Sequence, residues 1–199
     1  MEKLKPIIRL EDSLAKLPSI GRKSAERMAF AMLEMSDDDL KELSESITEL
    51  KKDIHVCPKC GMLTDKDGEC DICASSLRDK EKIMVVSYAK DVISLEKSGG
   101  YNGLYHVLNG EICLAKGRSP EKLNIDSLLT RVNDSNIKEV IMATNPTVDG
   151  ETTALYITKL LEPYGLNITR LAYGLTMGSN IDYTDQLTLL KALEGRRKL

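Results

Sequence analysis

The spacing of hydrophobic positions changes along the chain. Up to Asp53 they recur at helical intervals: Ile8, Leu10, Leu14 and Leu17 over residues 7–17, closed by Pro18; then Met28, Met32 and Met35 with Ala25, Ala29 and Leu33 over 24–35; then Leu40, Leu43, Ile47 and Leu50. Ser36 stands where it can cap the third of these helices. Asp37, Asp38 and Asp39 suit a first turn, where the helix dipole favours negative charge, so a helix start explains them more simply than a metal site. After a polar stretch from Ser75 to Lys82 the pattern becomes short apolar runs. Ile83-Met84-Val85-Val86, Tyr105-His106-Val107-Leu108, Val140-Ile141-Met142-Ala143 and Ile168-Thr169-Arg170-Leu171 read as strands, the second ended by Asn109-Gly110. Helices are predicted between and after them over 91–97, 120–132, 152–161 and 183–199, the last ending in Arg196-Arg197-Lys198. Strands alternating with helices imply crossover connections and a mainly parallel sheet covered on both faces.

Between the two regimes lies VCPKCGMLTDKDGECDIC, residues 56–73. Its two Cys-x-x-Cys pairs, Cys57/Cys60 and Cys70/Cys73, have the spacing that lets four thiolates close a tetrahedron around one Zn²⁺. Pro58 stiffens the first knuckle, Gly61 frees the backbone beyond it, and Asp67-Gly68 supplies the return turn. Redox pairs normally come singly in a βαβ context, and core cysteines have no reason to fall at matched spacing, so the stretch reads as a short zinc ribbon. His55 is a substitute ligand that four cysteines make unnecessary. Four protein thiolates leave no open position for water or substrate, which makes the expected role structural, joining what lies on either side.

Composition narrows the function. A formal net charge of -3 gives no global case for nucleic acid, so any such contact must be local. Tryptophan is absent and there is one Phe, which argues against a base-stacking platform. No signal-like segment, long apolar run or lipidation box is present, and metal thiols suit a reducing compartment, so a cytoplasmic protein with no membrane partner is expected. Cys113, flanked by Ile112 and Leu114, reads as a small buried apolar residue.

The local basic cluster is in LPSIGRKSAERMAFAMLEMS. Leu17-Pro18-Ser19-Ile20-Gly21 has the form of the turn in a helix-hairpin-helix motif, usually Leu-Pro-Gly-Ile-Gly. Such a turn exposes backbone N–H groups at the start of a helix, where a phosphate is favoured. Gly21, Arg22, Lys23 and Arg27 are the candidate DNA-binding residues, contacting the nucleic-acid backbone without reading sequence. An αα-hairpin with ordinary surface charges is the plainer alternative. Ser19 occupies the place of the motif's first glycine and would be strained if φ there is positive.

In an open parallel sheet, chemistry gathers at the carboxyl ends of the strands. Val85-Val86-Ser87-Tyr88 and ATNPTVDGE, residues 143–151, leave two such ends, and together they resemble the Toprim domain of type IA topoisomerases and primases. There the first strand ends in a glutamate and the later loop reads Thr-Asp-Pro-Asp-x-Glu-Gly-Glu, whose acids hold Mg²⁺. Here Ser87, Asn145 and Thr147 stand at three of the acidic positions, while Asp149, Gly150 and Glu151 keep the end of the loop. The resemblance implies a retained fold with lost metal chemistry. Asp149 and Glu151 are then candidates for binding a partner, or simply for stabilising a helix start. A Mg²⁺-dependent nuclease or primase-type enzyme, and an adaptor that binds only proteins, are the alternatives.

Across the whole chain, CPKC and CDIC, SLRDKEKIMVVSYAKDVISLEK, YHVLNG, EVIMATNPTVDGETTALYITKLL, TRLAYGLTMGSNIDYTD and ALEGRR resemble the RecR family of bacterial recombination mediators. The resemblance implies an α/β multi-domain protein: a helix-hairpin-helix over 1–53, a four-cysteine zinc ribbon over 54–76, a Toprim domain over 77–175 and a C-terminal oligomer contact over 176–199. It further implies a non-enzymatic, nucleoid-associated DNA-binding protein with one Zn per chain. Such a protein acts with RecO and RecF to help load RecA on single-stranded gaps, as a homodimer or homotetramer ring on single- or double-stranded DNA. Gly117-Arg118-Ser119-Pro120 and Thr176-Met177-Gly178-Ser179 depart from the family's usual Gly-Ile-Gly-Pro and Pro-Val-Gly-Gly.

Overall fold

The computed structural model describes residues 4–196 and 198, in two compact units, Met1–Asp53 and Ile54–Leu199. The first unit is helical: α1 (Lys5–Leu14), α2 (Arg22–Leu33) and α3 (Asp37–Asp53). Ala25 and Ala29 are its buried residues on α2, and with no bulk beyond Cβ they permit close approach of α1. Met28, Leu33 and Met35 from the same helical stripe remain exposed. Ser36 caps α3 as expected, its Oγ accepting from the Asp39 backbone N–H at 3.1 Å.

The second unit opens with β1 (His55–Val56) and β2 (Leu63–Thr64), an antiparallel pair, followed by the single-turn helix α4 (Asp71–Ala74). Then come β3 (Asp79–Val86), α5 (Ala89–Ser98), β4 (Gly103–Val107), α6 (Asp126–Asp134), β5 (Glu139–Ala143), α7 (Val148–Leu161), β6 (Asn167–Arg170) and α8 (Gln186–Glu194). The four long strands form one parallel sheet in the order β4-β3-β5-β6. Side chains alternate across it. Ile83, Val85, Val140 and Met142 face a core with Leu128 and Val132 of α6 and Ala154, Ile157 and Leu161 of α7. Met84, Val86, Tyr105 and Val107 face Val92 of α5 together with Met62 and Ile72 of the cysteine-rich segment. Continuous apolar strands are what burial on both faces requires.

Three sequence-based element boundaries are corrected. The helix expected over 120–132 is a 3-10 turn, Pro120–Lys122, followed by extended Leu123 and then α6. Asn124 causes the break: its backbone N–H donates to the Leu108 carbonyl at 3.0 Å and its Nδ2 to the Val107 carbonyl at 3.1 Å, both needing a non-helical chain. The helix expected from 152 begins at Val148, because the Thr147 Oγ1 accepts the Gly150 N–H at 3.1 Å and caps it earlier. The tail helix is confined to Gln186–Glu194 with Asp185 as its cap, and Arg197 and Leu199 lie outside the described residues.

Candidate functional site

The four cysteines converge. The Sγ atoms of Cys57, Cys60, Cys70 and Cys73 all lie within 4.8 Å of one another and all four residues are buried, so the cluster has the donors and spacing to hold a metal ion. Local sequence makes the two knuckles. The Gly61 N–H donates to the Cys57 carbonyl at 2.9 Å and Gly61 adopts φ 76°, while Cys70 opens α4 and its N–H donates to the Cys57 Sγ at 3.4 Å. The hydrogen bond from Cys60 brings the Cys73 thiol down to about 6 against the cost of burial, with the Arg131 charge helping. The same contact, together with burial, pushes Cys60 up. Soft thiolate ligands hold Zn²⁺ once deprotonated, so a divalent ion bound by the cluster would take the place of the thiol protons. His55 is not among the four; its Nε2 lies 3.6 Å from a carboxylate oxygen of Asp67.

The hairpin turn is formed by Leu17, Pro18, Ser19, Ile20 and Gly21, with the Ile20 N–H donating to the Leu17 carbonyl at 3.3 Å. Ser19 has φ 66°, the left-handed region that the motif's glycine would occupy without strain. Gly21 is the N-cap of α2 with no side-chain cap, leaving first-turn N–H groups to an outside acceptor. Arg22, Lys23 and Arg27 are exposed on that turn and the next.

At the carboxyl edge of the sheet the loop from Thr144 to Gly150 meets the segment after β4. Ser87, Asn145 and Thr147 come together here. They surround Glu111, a residue that sequence reasoning passed over. The Ser87 Oγ donates to Glu111 Oε1 at 2.6 Å, the Asn145 N–H and Nδ2 donate to the same oxygen at 3.2 and 2.8 Å, and Thr147 Oγ1 lies 3.4 Å from Oε2. Glu111 is only 6% exposed. One signal was available: a lone acid in the apolar run Ile112-Cys113-Leu114 that follows the Asn109-Gly110 turn.

Asp149 and Glu151, both partly exposed, occupy the first turn of α7 but differ in engagement. Glu151 accepts hydrogen bonds from Arg170 and Tyr173, which outweigh partial burial and hold its carboxyl below the usual range. Arg118 donates to the Tyr88 Oη at 3.1 Å, the main cause of its raised pKa, to which the Asp149 charge adds a minor part. Arg170 also donates to the carbonyls of Met142 and Thr144, each at 2.9 Å.

A helical hairpin unit and a four-cysteine segment beside a parallel sheet with its loop at the carboxyl edge define a Toprim-containing, helix-hairpin-helix class of protein. Residues 81–172 match the Toprim domain, 7–51 match the family described as RecR, helix-hairpin-helix, and 174–197 match RecR, C-terminal. The chain is 48% identical over 200 residues to recombination protein RecR of Lactiplantibacillus plantarum, covering 100% of both chains. It is 47% identical over 194 residues to that of Enterococcus faecalis, covering 98% of both, and 45% identical over 199 residues to that of Latilactobacillus sakei, covering 100% of both. The chain belongs to the RecR family. Among the described residues, no helix is long and apolar enough to cross a membrane.

Proposed function

We propose that this protein is a non-enzymatic, DNA-binding recombination mediator in recombinational repair that acts with RecO and RecF to help load RecA on single-stranded gaps. The observation that carries the non-enzymatic part is the polarity of the strand-end loop: Ser87, Asn145 and Thr147 direct hydrogen-bond donors inward, where a hard divalent cation needs carboxylate oxygens. Gly21, Arg22, Lys23 and Arg27 bind the phosphate backbone, Asp149 and Glu151 meet a basic protein partner, and Cys57, Cys60, Cys70 and Cys73 hold one structural Zn²⁺. Of the two acids, Asp149 is the freer to engage a partner, because Glu151 is already shared between Arg170 and Tyr173. The 176–199 segment supplies an oligomer contact, in keeping with the exposed Leu187, Leu190 and Leu193 of α8. A homodimer or homotetramer compensates for one small basic cluster per chain by presenting several at once. The working compartment is the cytoplasm.

Lys23→Ala with Arg27→Ala tests the DNA contact. Affinity should fall about equally for every sequence, with the salt slope of log Kd flatter by roughly two; unchanged binding would remove the hairpin from the DNA interface. The alternative of a Mg²⁺-dependent enzyme is tested on supercoiled and nicked DNA with Mg²⁺, where cleavage or relaxation abolished by Glu151→Gln would replace the scaffold reading.

A further inference from the structure

The strand-end loop is built around the buried carboxyl group of Glu111. In a metal-dependent loop of this kind, acceptors converge on a cation. In this chain a serine hydroxyl, a side-chain amide and a backbone N–H converge on one carboxylate oxygen of Glu111, with the Thr147 hydroxyl beside the other. Glu111 is itself fixed from both sides. The Gly110 N–H donates to the Ser87 carbonyl at 2.9 Å, and the Ile112 N–H donates to Thr153 Oγ1 of α7 at 2.8 Å. The start of α7 is close: a Cβ added to Gly150 would lie 2.1 Å from the Asn145 carbonyl oxygen, which excludes a side chain there, and 3.0 Å from Glu111 Oε1. The opposite side of the loop has the complementary pattern, with the carbonyls of Met142 and Thr144 accepting from Arg170.

We propose that Glu111 is a positioning residue that does internally what a divalent cation does in a metal-bound Toprim loop: it orders residues 144–150 and thereby fixes where Asp149 and Glu151 are presented. The loop is consequently indifferent to Mg²⁺. An added cation would meet the Asn145 amide and two hydroxyl protons around Glu111, the one buried acid there among the described residues. The role of Glu111 in presenting Asp149 and Glu151 rests on the reading of those acids as a docking surface; the ordering of the loop does not.

Hydrogen exchange on the full chain tests this, with Mg²⁺ as the probe. In Glu111→Gln, an NH₂ replaces one acceptor oxygen, and amides of 144–150, Asn145 above all, should exchange about tenfold faster or more while those of β3 and α6 are unchanged. Ser87→Ala, a milder change that removes one donor, should move the same amides in the same direction. Asn145→Asp preserves shape but sets a second carboxylate against Glu111, so it should loosen the loop as well; a purely space-filling role would tolerate it. Wild-type exchange should be the same with and without Mg²⁺. Unchanged protection in all three variants would overturn the proposal. So would Mg²⁺-dependent protection in the wild type that disappears in Glu111→Gln, which would make Glu111 a metal ligand. The docking reading is measured separately through capture of a basic partner by Asp149→Asn. If that capture is unaffected while Glu111→Gln loosens the loop, the docking reading fails and the internal clamp stands.

Discussion

The backbone N–H of Val107 donates to the carbonyl of Cys60 at 2.7 Å. Val107 belongs to β4, the edge strand of the sheet, and Cys60 is one of the four clustered cysteines. The cysteine-rich segment therefore covers a sheet edge, with help from the Asn124 Nδ2 on the Val107 carbonyl and Arg131 on the Tyr105 carbonyl at 2.6 Å. An uncovered edge offers unpaired N–H and C=O groups to another chain, so the metal-binding segment protects the α/β unit as well as folding itself.

Removing the metal should accordingly do more than unravel the knuckles. Chelation is expected to cause concentration-dependent self-association through β4, seen as light scattering that Zn²⁺ added before aggregation prevents. A chelated protein that stays dispersed and keeps its thermal transition would show that the edge is protected without the metal.

Gly61→Ala should be costly. Gly61 has φ 76°, and an added Cβ would lie 2.6 Å from the Val107 carbonyl oxygen and 2.7 Å from Asn124 Nδ2. Left-handed strain and the displaced contact together should cost about 2–4 kcal/mol in urea unfolding. At Gly68, where a Cβ meets nothing, Ala should cost only the strain.

His106 makes stability depend on pH. Burial lowers it from 6.5 to about 4, and its Nε2–H donates to the Asn124 carbonyl at 2.6 Å. Because the folded pKa lies below the unfolded one, the unfolded chain binds the extra proton between those values. The stabilisation is complete above pH 6.5 and is lost as pH falls towards 4, by roughly 3 kcal/mol in all. His106→Gln keeps a donor but cannot titrate, so its melting temperature should fall less steeply across that window.

Ser19→Gly should relieve the hairpin. Relief of the left-handed serine is partly offset by the greater freedom of glycine in the unfolded chain, leaving a net gain of about 0.5–1 kcal/mol. Slower exchange of the α1 and α2 amides is the readout, and faster exchange would mean that the Ser19 hydroxyl contributes more than its backbone costs.

The strands and the four-cysteine cluster were legible because each follows from residue type and spacing alone: apolar runs buried on both faces, and two knuckles repeated in one stretch. The capped start of α3 was legible for the same reason, since Ser36 and Asp39 are neighbours in sequence. The break before α6 was not, because Asn124 bonds to Leu108 and Val107 in preference to continuing a helix, and no local pattern records that choice. Glu111 escaped notice because its donors are Ser87, Asn145 and Thr147, far away along the chain.

Sequence by itself determined the element types, the knuckle spacing, the basic hairpin and the absence of acids at 87, 145 and 147. All of these are fixed by side-chain chemistry and short-range periodicity. Tertiary structure decided what those residues face. Sheet order placed β4 at an edge, and the cysteine segment lies against that edge through the Cys60 carbonyl. The same parallel order brought the ends of β3, β4 and β5 to one rim, where a buried carboxylate could collect the donors left in place of the missing acids. Hydrogen bonds between distant segments exist only once the sheet has assembled, and they set the polarity of that rim.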